Sequence, residues 1–214
     1  MARQPLKKKA EEKLKPQFPQ PVDFDGANWN EMEDDYTQLF YEQNLSQFWR
    51  PEDVSLQSDL NVWDILSDDV KDAYAKNLLV LTFLDTYQGD IGMPVVSRSL
   101  DDRFHQRKAV LNFMAAMENA VHAKSYSYIF MTFLPNHTIS ELFAWGNKND
   151  NLQNIMTLIV GAYEVLDRYT YVRNYEPEKI DFTEEEFLEA QWKAMCASVF
   201  LESWLFYSGF YYPL

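Results

Sequence analysis

The chain has 214 residues, 47% of them hydrophobic and 16% aromatic, enough to core one globular unit and too apolar for disorder over most of its length. A net charge of −14 argues against nonspecific nucleic-acid binding, which needs a basic face. The single cysteine, Cys196, allows neither an internal disulfide nor a thiolate zinc cluster, and no uninterrupted apolar stretch reaches the roughly 20 residues that span a bilayer. A cytoplasmic protein with no membrane partner is expected.

Residues 1–16 (MARQPLKKKAEEKLKP) hold six Lys or Arg against two Glu, a local +4 that leaves −18 on the remainder. Lacking the apolar core of a secretory signal, this stretch reads as part of a basic flexible arm over residues 1–27. Further on, Ser67 with Asp68 and Asp69 predicts the capped start of a helix running through KDAYAKNLLVLTFLDTYQ. Gly89 and the GMP at 92–94 predict a loop. From Asp101 the chain then runs about 34 residues without glycine or proline, as far as Pro135. Thr138 with Glu141, and Thr183 with Glu186, have the spacing of capping boxes. The last run, from Thr183 to about Tyr212, is longer than an average helix. With six glycines and no strand-like alternation, the expected fold class is all-α, a bundle of long helices on short connections.

Three of these apolar windows each carry one carboxylate. Asp85 is the only charge in NLLVLTFLDTYQ (77–88), and Glu118 the only formal charge in AVLNFMAAMENAVHA (109–123), with His122 beside it. Glu202 is the only charge from Ala194 to Leu214. An ionised carboxylate in apolar surroundings costs several kcal/mol unless it is paired, and no Lys or Arg lies in these windows. Either the carboxylates reach solvent or a distant arginine, or a shared cation satisfies all three. Inward carboxylates with a histidine one turn away are how helix bundles hold iron or manganese pairs. In a regular α-helix Glu118, His122 and Tyr126 fall on one face, about 40° apart at each step.

NWNEMEDDYTQLFYEQNLSQFWRPEDV (28–54), FLDTYQGDIGMP (83–94), HAKSYSYIF (122–130) and SVFLESWLFYSGFYYPL (198–214) together resemble the radical-generating small (beta) subunit of class I ribonucleotide reductase, nearest the class Ib branch. The resemblance runs in order from about residue 28 to Leu214 and implies a ferritin-like helical bundle, incomplete at its C-terminus, with residues 28–214 as the N-terminal part of a dimetal-carboxylate domain. It implies that Asp85, Glu118, His122 and Glu202 are metal ligands and Tyr126 the radical tyrosine. Phe206 and Phe210 are implied to wall the radical pocket, and Trp49 to pass the radical onward. The implied cofactors are a dinuclear manganese or iron centre and a tyrosyl radical. The implied partners are the catalytic large subunit, a second copy of the assembled subunit and, with manganese, a flavodoxin-like activator.

Two departures qualify these expectations. The family pattern is Glu-x-x-His, whereas this chain has Glu118-x-x-x-His122, so the ligand position falls on Glu118 read from one anchor and on Asn119 read from the other. A π-bulge would absorb the extra residue and leave Glu118 as ligand; an inward Asn119 would change metal affinity or choice. Secondly, the family's later Glu-x-x-His helix is not in this sequence, so a complementing C-terminal polypeptide is expected, and activity only with it. His105 and His137 sit near predicted helix starts and are expected to be exposed. The opposing readings are a catalytically inactive scaffold or regulatory relative, and a metal-free radical subunit, which the presence of Asp85 and Glu202 disfavours.

Overall fold

The computed structural model describes residues 24–211. Residues 1–23, most of the expected basic arm over 1–27, and residues 212–214 lie outside the described residues. The architecture is helical: α1 (Asp35–Ser46), α2 (Leu60–Ile65), α3 (Asp68–Tyr87), α4 (Met93–Ser99), α5 (His105–Met117), α6 (Lys124–Phe133), α7 (Asn136–Gly146), α8 (Asp150–Tyr175), α9 (Glu184–Phe200) and α10 (Phe206–Tyr211).

Most long helices begin on a side-chain cap that satisfies orphan amides of the first turn. Asp34 accepts from the Thr37 amide at 2.9 Å and from its hydroxyl at 2.8 Å. Ser67 starts α3 as its sequence predicts, accepting from the Val70 amide. Asn149 starts α8, accepting from the Leu152 amide at 3.0 Å. Thr183 and Glu186 form the reciprocal box that starts α9. Thr138 and Glu141 form no such box. Proline 135, extended at ψ 149°, ends the preceding helix and α7 has already begun at Asn136, so Thr138 lies within its first turn. His137 is exposed there, while His105, the first residue of α5, is half-buried.

The core forms around α3, which buries Leu78, Leu79, Leu81 and Leu84 against α7, α8 and α10. Helix α8 buries Leu152, Met156, Ile159, Tyr163, Leu166 and Thr170, a seam in alternating steps of four and three residues. Each fully buried leucine contributes about 1.5–3 kcal/mol.

Three helices widen by one residue into a π-turn: Gln88–Gly92 after α3, Glu118–Ala123 after α5, and Leu201–Leu205 after α9. The loop expected at Gly89 and GMP is therefore absent. Glycines at 89 and 92 admit close packing there instead, and Pro94 sits in the first turn of α4. A Cβ at Gly89 would stand 2.8 Å from the Ala115 carbonyl oxygen, so only glycine lets the first π-turn lie against α5 and the second π-turn.

Candidate metal centre

The three lone carboxylates all fall in or beside these π-turns. Asp85 lies in the last turn of α3, three residues before the first begins, Glu118 opens the second, and Glu202 lies in the third. Asp85 and Glu118 are buried, and ligand atoms of Asp85, Glu118 and His122 all lie within 4.8 Å of one another. The His122 Nδ1 is 2.9 Å from Glu118 Oε2. Glu118-x-x-x-His122 is accommodated because the wider turn absorbs one residue and keeps both side chains on one side. Asn119 is exposed, and its Nδ2 donates to the Asp90 carboxylate on the neighbouring π-turn.

Glu202 is exposed on its outer side, while its Oε1 accepts from Gln88 Nε2 at 2.9 Å. Its pKa is pushed up to about 7 by burial of the carboxylate and then by the charge of Glu118, against the Gln88 hydrogen bond. Asp85 is raised well above the usual carboxylate range, first by burial and then by the Glu118 charge. Burial alone would lower His122, but the Glu118 hydrogen bond and the Glu118 and Glu202 charges outweigh it and raise the imidazole. Burial, with Asp85 beside it, also raises the Tyr126 phenol, which stays protonated far above neutral pH.

This arrangement fits a cation. Asp85 Oδ2 is buried with no hydrogen-bond partner, a costly orphan that a metal ion would satisfy. The donor set, carboxylates with one imidazole, suits iron or manganese.

Tyr126 is half-buried in α6, one turn beyond His122, and packs against the core. Trp49 stacks over the His122 ring, with centroids 6.2 Å apart and planes inclined by 21°. The turn after Trp49 is tightened by Arg50 and Asp53, paired at 2.6 Å, and tied to α6 by Lys124 Nζ on Glu52 at 2.7 Å. Phe206 is buried at 2% exposure, whereas Phe210, stacked on it with centroids 5.4 Å apart, is 58% exposed. Sequence reasoning missed Gln88, Tyr163 and Ser198, which join Glu202 in a buried hydrogen-bonded chain. Gln88, three residues after Asp85 and the first residue of the π-turn that follows α3, was the available signal.

The family described as ribonucleotide reductase, small chain, matches residues 26–214. The ribonucleoside-diphosphate reductase subunit beta of Bacillus subtilis is 51% identical over 191 residues, spanning 89% of this chain and 52% of that protein. The subunit beta of Mycobacterium leprae is 36% identical over 187 residues, spanning 87% and 50%. Among solved structures, the dimanganese(II)-NrdF of Streptococcus sanguinis superposes with a TM-score of 0.72 at 35% identity, covering 89% of this chain and 58% of that one. The chain thus spans about half the length of the curated relatives it matches. A helical fold that gathers Asp85, Glu118 and His122 agrees with that match, and the chain belongs to the ribonucleotide reductase small-chain family.

Proposed function

We propose that this chain is part of the small subunit of a ribonucleoside-diphosphate reductase, which generates and stores a tyrosyl radical used by the large subunit to reduce ribonucleotides. The observation that carries the reading is the buried, unpartnered Asp85 Oδ2, clustered with Glu118 and His122 one helical turn from Tyr126. Asp85, Glu118, His122 and Glu202 would hold the metals. When bound, a manganese or iron pair supplies the oxidising equivalents that remove an electron from tyrosine.

This chain's residues supply the rest. Tyr126 keeps its phenolic proton, so its oxidation must release a proton together with the electron, and Asp85 lies beside the phenol. Tyr126 packs against the core to which buried Phe206 belongs, apolar surroundings that suit a phenoxyl radical. Trp49, stacked on His122 and tied to α6 through Glu52 and Lys124, offers an aromatic exit toward the large subunit.

The remaining carboxylate and histidine of a dimetal centre are assigned to helices outside this sequence, in a complementing C-terminal polypeptide. Trp192, Val199, Trp204 and Tyr207, each at least 60% exposed along α9 to α10, supply apolar surface for such helices or for a second copy of the subunit. A flavodoxin-like activator belongs to the manganese form of this reading. The setting is cytoplasmic, and among the described residues no helix is long and apolar enough to cross a membrane. Native mass spectrometry of the tagged chain from its own host tests the proposal. A complex holding a second polypeptide and two transition-metal ions is expected; a lone, folded, metal-free chain would support the scaffold reading instead.

A further inference from the structure

Glu202 is the least constrained member of the centre, lying on a π-turn with one side exposed. What holds it is a chain of buried side chains that begins at Tyr163 on α8 and runs through Gln88 on the first π-turn, with Ser198 of α9 beside it. Tyr163 Oη donates to Gln88 Oε1 at 2.6 Å, and Gln88 Nε2 donates to Glu202 Oε1 at 2.9 Å and to Ser198 Oγ at 2.6 Å. Tyr163 is 0% exposed, Gln88 1% and Ser198 4%. The chain is also tightly boxed in. A Cβ at Gly92 would stand 2.6 Å from Gln88 Oε1 and 2.8 Å from the Tyr163 ring, so the first π-turn leaves room for this pair and nothing larger.

The network has a direction set by chemistry. A metal-ligating carboxylate only accepts hydrogen bonds, so Gln88 must turn its N–H toward Glu202 and its carbonyl oxygen toward α8. That oxygen in turn needs a donor, and the Tyr163 hydroxyl is the one it has. Without that hydroxyl the Gln88 oxygen is buried and unpartnered, and the amide keeps its N–H on Glu202 only against that cost. A flipped amide would set an oxygen against the Glu202 oxygen, and the carboxylate would swing outward.

We infer that Tyr163 is a positioning residue for the metal centre, acting through the Gln88 amide to fix the Glu202 carboxylate. The inference deepens the metal reading of the site and rests on it. Such outer hydrogen-bond partners are worth about 10–100-fold in metal affinity.

The test is a manganese(II) titration of the assembled protein, followed by the electron paramagnetic resonance signal of free ion. Wild type is expected to bind two ions. Tyr163→Phe, which removes one oxygen and keeps the ring, is expected to bind one ion normally and the other at least about tenfold more weakly. Gln88→Leu should show the same split, and Tyr163→Phe added to Gln88→Leu should weaken binding no further, as expected of a residue that acts through the amide. Ser198→Ala, which removes an acceptor without reversing the amide, should lower neither affinity as far as Tyr163→Phe. Should Tyr163→Phe fail to fold, Gln88→Leu against Ser198→Ala carries the same comparison. The inference is overturned if Tyr163→Phe binds both ions like wild type, or if the Tyr163 and Gln88 effects multiply in the double variant. A wild-type assembly that binds no ion would overturn the metal reading itself, and this inference with it.

Discussion

Asn119 donates from its side-chain amide to Asp90, so the residue next to Glu118 is turned toward the neighbouring π-turn and away from Asp85 and His122. The two candidates at this position therefore make opposite predictions. Glu118→Ala is expected to reduce metal affinity by more than the roughly 10–100-fold of an outer partner, and Asn119→Ala by less than about tenfold. Isothermal titration of the assembled protein with manganese(II) measures both. Equal losses in the two variants would contradict the assignment.

The interlocked π-turns also predict a stability effect at a residue that contacts no ligand. Gly89→Ala must displace the Ala115 carbonyl or the Asn119 backbone, both within 3.2 Å of the added carbon. Overpacking of this kind costs about 1–3 kcal/mol. Urea denaturation should show that loss, accompanied by weaker metal binding as Glu118 and His122 shift together; wild-type stability would mean the turns are not in contact as described.

The central helix predicts a larger loss. Leu79 is 0% exposed at the contact between α3 and the Gly146 end of α7. Leu79→Ala should cost about 2–5 kcal/mol, depending on how far the site collapses. A loss under about 1 kcal/mol in denaturant unfolding would place this side chain outside the core.

The Asp34 carboxylate gives a pH prediction. Its pKa falls to about 2, first through the Thr37 amide, then the Thr37 hydroxyl, with Arg107 adding to it. Because the folded value lies below the unfolded one, near 3.9, the cap stabilises fully above about pH 4 and is lost as pH falls through 2. Asp34→Ala should therefore lower the melting temperature at pH 7, by a gap that narrows as pH drops from 4 toward 2. A gap that widens on acidification would reverse the sign of the argument.

Much of this was legible in the sequence, because caps and lone charges are local signals. Ser67 and the Thr183–Glu186 box marked real helix starts, and of the three isolated carboxylates in apolar windows, Asp85 and Glu118 cluster with His122. The loop expected at Gly89 and Gly92 failed for a physical reason: these glycines serve close approach between π-turns, a long-range demand that resembles turn chemistry in a linear reading. Thr138 failed because capping spacing is also met by chance inside a helix whose start Pro135 decides. Helix α8 was not singled out, although its apolar seam and Asn149 cap were readable, and with it went Tyr163. Its link to Glu202 through Gln88 joins positions 75 and 114 residues apart, which no local pattern encodes.

The most direct test of the central claim is electron paramagnetic resonance on the metal-loaded, oxidised assembly, wild type against Tyr126→Phe, with metal content measured on the same samples. The account predicts two metal ions in both, a tyrosyl radical signal in wild type, and its disappearance in Tyr126→Phe. An unchanged radical signal in Tyr126→Phe, or a wild-type assembly with two metals and no radical after oxidation, would contradict it.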